Sequence, residues 1–309
     1  NRPRHFDKRN LMNFAALIET LRQSLEPVPG FQDIASAPYM FRPFIVLIVL
    51  GVAGGVVSVI VNLRKLEFNS EATVHSVFPG IVLGAFIGGI DSIIPGASLV
   101  GILVAFALTQ VGRSGRGSDE AGTAVVLTSF FSIGMVISLR VADMSGQLEA
   151  LMFGRLLDVT DPRMTQTCLV CLVALLVVLP TWRRQIFLAF DRDGARSAGM
   201  GGFWDDFAVN AALVAVTIAG STAVGTLLII GYLVVPGAAA RLLCRSVRAM
   251  VPVAIFVGVA GGWLGLWIAN LDAPRPISPQ ASVALSVVGL FFACLAVRGV
   301  RSLVAKVVS

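Results

Sequence analysis

Charge is what this sequence has least of. Only 14% of its 309 residues are Asp, Glu, Lys or Arg, where soluble domains average about 25%. A globule solvated on every side is therefore excluded. Two histidines, only one of them in the transmembrane region, leave little for a histidine-based catalytic site. No Gly-x-x-x-x-Gly-Lys-Ser/Thr loop occurs, so any ATP hydrolysis belongs to a separate chain. No Gly-x-Ser-x-Gly elbow occurs either, which argues against a serine hydrolase. Cys168 and Cys171 form a Cys-x-x-Cys inside an apolar run without flanking polar ligands. They are expected to be small apolar residues on a helix, not a metal or redox motif. His5, beside Arg4 in the tail, is expected to be solvated, and Asp91 to be a turn residue.

What is present is oil. The hydrophobic fraction is 56%, with 31 glycines for close helix packing. Apolar segments recur at about 44–62, 74–90, 93–111, 121–139, 165–181, 206–222, 223–240, 250–270 and 281–298. Each approaches the roughly 20 residues that a crossing helix needs. The fold class is therefore all-α, a polytopic membrane protein of eight or nine transmembrane helices. The doubt concerns 206–240, too long for one upright crossing and interrupted by Gly220 and Gly225. Basic residues decide it. Nine spans with the N-terminus outside gather Arg64, Lys65, Arg113 and the 183–196, 241–248 and 298–306 clusters on the cytoplasmic side. Eight spans divide the basic residues almost evenly, so the positive-inside rule favours nine. The net charge of +6 is accounted for by these loop arginines, not by nucleic-acid binding. Asp119 and Glu120 open the fourth span, where acid suits a helix N-terminus.

Residues 1–43 are read as a polar tail whose Leu11–Leu25 stretch forms an amphipathic helix on the membrane surface. Residues 44–309 form the transmembrane domain. Pro79-Gly80 in the second span and Pro236-Gly237 in the seventh are expected to break their helices, as happens where polar cargo passes. The most informative stretch runs from Asn69 to Gly80. Asn69 or Ser70 can cap a helix on which Glu71 and His75 stand at i and i+4. A carboxylate and an imidazole one turn apart can grip a divalent cation. A second stretch, 182–202, mixes Arg and Asp with Ile186, Phe187, Leu188 and Phe190. It reads as two short helices with a turn at Asp193-Gly194, presenting apolar and charged faces to a partner.

These two stretches carry a family resemblance. Ala72, His75, Pro79 and Gly80 match the Gly-Asp-Ala-x-Ser-His-(Ala)-x-x-Pro-Gly signature of permeases from bacterial ABC importers of zinc, manganese and iron. Glu71 stands where that family has Asp, Ser70 where it has Gly, and Val74 where it has Ser. Phe190, Asp191, Ala195 and Gly199 fall on the coupling pattern by which such permeases, and vitamin B12-type ones, dock on their ATPase. The blocks 118–137, 151–159 and above all 225–243, with its Pro-Gly-Ala-Ala-Ala-Arg-Leu-Leu, resemble further family stretches in the same order.

The resemblance implies the type II importer permease fold and a transport subunit without enzymatic activity of its own. It implies no intrinsic cofactor and Mn²⁺ or Zn²⁺ as cargo, with Glu71 and His75 as metal ligands. It also implies cytoplasmic ATP-binding subunits, a second permease subunit (identical or a paralogue), an extracellular metal-binding lipoprotein and the bacterial inner membrane. An iron or iron-chelate permease stays open, as does a stand-alone secondary transporter. The latter needs internal repeats and mid-membrane acids, neither of which is evident.

Overall fold

The computed structural model describes residues 18–28, 30–36, 38–89, 92–113, 119–140, 154, 156–271 and 277–308. His5, Asp91, residues 11–17 of the expected amphipathic helix and residues 151–153 and 155 of the 151–159 block lie outside that set. The chain forms α1 (18–25), α2 (Gln32–Ala35), α3 (Pro38–Arg64), α4 (Glu67–Ser76), α5 (Phe78–Gly88), α6 (Ile93–Arg113) and α7 (Asp119–Arg140). There follow α8 (Asp161–Phe190), α9 (Arg192–Ser197), α10 (Phe203–Ala223), α11 (Thr226–Leu243), α12 (Val247–Ala269) and α13 (Pro279–Val308). No strand occurs among the described residues.

Nine crossings are long and apolar enough to span a membrane among the described residues, α4 and α5 together making the second. The doubtful 206–240 region is two helices, α10 and α11, parted at Val224-Gly225. Gly225 takes φ +92°, a left-handed value that a side chain resists, so the chain can turn there and re-enter. α3 and α10 are the central posts, 78% of their apolar windows being buried, against 17% for α7 and α13. The flank helices turn large side chains such as Val136, Leu139, Leu285 and Phe292 outward, as lipid contact requires.

Two apolar cores share α10. One joins α3, α8, α10, α11, α12 and α13 around Leu47, Leu50, Leu213 and Tyr232. The other joins α5, α6 and α7 to the Val214–Ile218 face of α10. Ile18 of α1 is buried in the first core and Leu25 packs against it, while Arg22 Nη1 donates to the Ala35 carbonyl at 2.6 Å. The Arg22 guanidinium also hydrogen-bonds Glu19 and holds that carboxyl below its ordinary range.

Three sequence expectations are corrected. α11 runs unbroken through Pro236, and Gly237 serves packing instead: a Cβ there would collide with the Ser58 carbonyl. α4 begins at Glu67, so Asn69 and Ser70 lie inside the helix and do not cap it. α8 continues unbroken to Phe190, so only one short helix, α9, comes after it, and Asp193-Gly194 lies within it. The second span does break where expected, α4 ending at Ser76 and Pro79 sitting in the first turn of α5, where its missing N–H costs nothing.

α3 and α12 touch backbone to backbone. A Cβ on Gly258 would stand 2.8 Å from the Gly51 carbonyl oxygen, and neither backbone can yield. Gly258→Val is expected to destabilise the detergent-solubilised protein by about 1–3 kcal/mol through overpacking. Gly289→Ala, whose Cβ meets nothing within 4 Å, is expected to leave it unchanged or slightly firmer. Thermal unfolding of both variants beside wild type checks this.

Candidate functional site

The site begins with the residue pattern of α4. Ser70, Ala72, Thr73, Val74 and Ser76 are buried, and the helix packs against α7, α10 and α11. The polar members of that face are served locally: Ser70 Oγ donates to the Leu66 carbonyl at 3.0 Å and Thr73 Oγ1 to the Asn69 carbonyl at 2.7 Å. Ser76 Oγ on the same face has no partner among the described residues.

Glu71 is exposed and His75 half-buried. One turn apart, they share a stripe of α4 set off from the buried face. Glu67, also half-buried, stands a further turn before Glu71 on the same stripe. Sequence alone does not single it out, because a cap at Asn69 or Ser70 would start the helix after it. The spacing Glu67-x-x-x-Glu71-x-x-x-His75 is the signal that could reveal it. The His75 ring meets Phe131 of α7 edge-on, with centroids 5.7 Å apart. An apolar neighbour limits how the imidazole can turn without taking up either nitrogen. Neither the Glu71 carboxylate nor the His75 imidazole forms an ion pair or hydrogen bond with a described residue, and no group of three His, Cys, Asp or Glu able to hold a metal occurs among them.

At the end of the bundle where α3 finishes and α4 begins, a cavity of about 640 Å³ opens between α3, α4, α6, α7, α8 and α10. Its polar lining includes Asn69, Thr109, Glu120, Thr123 and Asn210. Thr123 Oγ1 donates to Asn69 Oδ1 at 3.2 Å, and Asn210 Nδ2 to Thr109 Oγ1 at 3.0 Å. Glu71 and His75 do not line it; Asn69, on the turn below, does.

The second predicted stretch lies at this same end. Phe190, last residue of α8, is 71% exposed. Asp191 caps α9, its Oδ1 accepting from the Gly194 amide at 2.8 Å. Ala195 is wholly buried. Gly199 takes φ +75° just past the helix, where the Gly199 amide bonds the Arg196 carbonyl and the Met200 amide the Ala195 carbonyl. That pair is the Schellman closure, which calls for glycine at this position. The spacing Asp191-x-x-x-Ala195-x-x-x-Gly199 thus has a local cause: a cap, an inward contact and a left-handed stop.

The comparisons agree with this architecture. The family model described as the ABC 3 transport family matches residues 36–298. The chain is 26% identical to the manganese transport system membrane protein MntC of Halalkalibacterium halodurans, over 84% of this chain and 88% of that one. It is 32% identical to the chelated iron transport system membrane protein YfeD of Yersinia pestis, over 75% of this chain and 77% of that one. Its fold is similar to that of PsaBC from Streptococcus pneumoniae, solved in complex with Fab, with a TM-score of 0.73 at 24% identity, covering 86% of this chain and 94% of that one. With nearly its whole transmembrane region matched by one model, the chain belongs to the ABC 3 transport family.

Proposed function

We propose that the chain is the membrane permease of an ATP-driven importer for a bare divalent cation, Mn²⁺ or Zn²⁺. The observation that carries this is the α4 stripe: an acid and an imidazole one turn apart, without an ion pair among the described residues, on a helix inside a broken span. Ionisable groups in a span are costly and persist where they line a path or meet a partner. One carboxylate oxygen and one nitrogen make half a coordination shell. A second permease subunit presenting the same stripe across a two-fold axis would supply the other half. Mixed oxygen and nitrogen donors suit Mn²⁺ and Zn²⁺ alike. Glu67 extends the stripe into a ladder, so an ion can pass from rung to rung without being held too tightly to leave.

ATP-binding subunits would dock on Phe190 and α9 at the Arg-rich end, which the charge bias assigns to the cytoplasm. An extracellular metal-binding protein would deliver cargo to the opposite face, across a bacterial plasma membrane. Relatives named for manganese favour the bare ion. The relative named for chelated iron supports iron cargo as the second reading, and a chelate would not need the ladder.

In vesicles holding the permease with its ATP-binding subunits, Glu71→Ala and His75→Ala are each expected to cut Mn²⁺ or Zn²⁺ uptake at least about tenfold, with the ATPase still co-purifying. Normal uptake of both ions by both variants would remove the ladder from the mechanism. Gly199→Ala, whose Cβ meets no neighbour within 4 Å, adds only backbone strain. It is expected to weaken co-purification of the ATP-binding subunits, while Gly202→Ala, equally free of neighbours and with an ordinary φ of −67°, is not.

A further inference from the structure

A web of charged and polar groups joins the α9 segment to the joint between α3 and α4. It begins after α9, in the turn leading to α10. The Gly201 amide donates to Asp205 Oδ2 at 3.0 Å, and the Gly201 carbonyl accepts from Arg113 Nη1 of α6 at 2.8 Å. The same Arg113 nitrogen reaches Asp206 Oδ2 at 3.0 Å. The other oxygen of Asp206 accepts from Nη2 of Arg64, the last residue of α3, at 2.7 Å. Arg64 Nη1 donates to Gln185 Oε1 of α8 at 2.7 Å, and Gln185 Nε2 returns to the Asp205 carbonyl at 2.7 Å. One carboxylate thus ties three helices together.

The pair is deep. The Arg64 and Asp206 side chains are 7% and 13% exposed. A buried ion pair is weak glue, because desolvation offsets most of its attraction and an apolar pair of similar size would hold as well. Its distinctive property is direction: a guanidinium fork tracks a carboxylate that moves. The chain just beyond Arg64 makes a turn, closed by the Leu66 amide donating to the Val61 carbonyl at 2.9 Å. Lys65 takes φ +57°, the only left-handed non-glycine among the described residues. Leu66 comes next, and α4 starts at Glu67. Arg64, Lys65, Asn69, Asp206 and Asn210 all line the 640 Å³ cavity, so the base of α4 borders open space on that side.

We propose that Asp206, gripped between Arg64 and Arg113, is the joint that passes displacement of the α9 segment to α4, and so sets the position of the Glu71–His75 stripe. Arg64 and Asp206 are positioning residues that touch no cargo. The inference rests on the importer reading above. Its chain of transmission has four links: α9 shifts, the Gly201–Asp206 turn goes with it, Arg64 is drawn with the carboxylate, and α4 pivots at Lys65.

The test is the number of ATP molecules hydrolysed per Mn²⁺ imported, in vesicles holding the permease with its ATP-binding subunits and the metal-binding protein. Asp206→Asn keeps the shape and loses the charge that two guanidiniums share. It is expected to raise ATP consumed per ion roughly fivefold or more, with the ATP-binding subunits still bound, and Asp206→Glu to recover part of the loss. Arg113→Gln, at a side chain 34% exposed and so tolerant of change, is expected to move the ratio the same way. This variant decides the matter should Asp206→Asn fail to assemble. A ratio equal to wild type, even with both rates reduced in parallel, overturns the joint and assigns these residues to stability alone. Wild-type vesicles that hydrolyse ATP yet import no cation overturn the importer reading itself.

Discussion

A charge inside hydrocarbon must be paired, wetted or moved out. Nearly every feature of this chain reflects how it meets that rule. Most of its charge is withdrawn to the helix ends, above all to the end where α3, α6 and α8 finish and α10 starts. Where charge is sunk inside, as with Arg64 and Asp206, it is matched at 2.7 Å. Against that background the α4 acid and imidazole stand apart, for neither side chain has a charged partner among the described residues.

The breaks obey a related rule. An interrupted helix frees backbone groups that only protein or water can satisfy. Here the interruptions fall against neighbours: Ser76–Phe78 between α4 and α5, Val224-Gly225 between α10 and α11, and Lys65-Leu66 between α3 and α4. The Gly80 and Gly84 faces of α5 meet the α6 backbone so closely that no side chain fits between them. The broken span is thereby braced on one side by α6 and α7, leaving the α4 half hung between the joint at Lys65 and the turn at Val77. The base of that half-helix borders the 640 Å³ cavity.

Much of this is legible in the sequence because the bilayer reads sequence crudely. Length and apolarity locate the spans, and the arginine asymmetry decides for two helices over 206–240. Pro79 betrays the second break because proline fits the first turn of a helix at no cost in hydrogen bonds. Pro236 misleads, since a kink can be absorbed where Gly237 lets α11 close on Ser58. The cap expected at Asn69 fails because tertiary packing extends α4 to Glu67, a choice that local propensity does not register. The Asp191–Gly199 pattern is visible in the sequence only as a resemblance, yet its spacing proves to be that of a cap, a contact and a stop. The Arg64–Asp206 pair is invisible there: its partners are 142 residues apart, and no periodicity links them.

The central claim is that a bare cation is held between two copies of the α4 stripe. Anomalous scattering at the manganese edge, from crystals of the assembled permease–ATPase complex grown with Mn²⁺, tests it most directly. The account predicts a peak on the axis relating the two permease subunits, within roughly 2.2 Å of the nearest Glu71 oxygen and His75 nitrogen. A manganese peak bound elsewhere in the membrane domain, with α4 bare in both subunits, would contradict it.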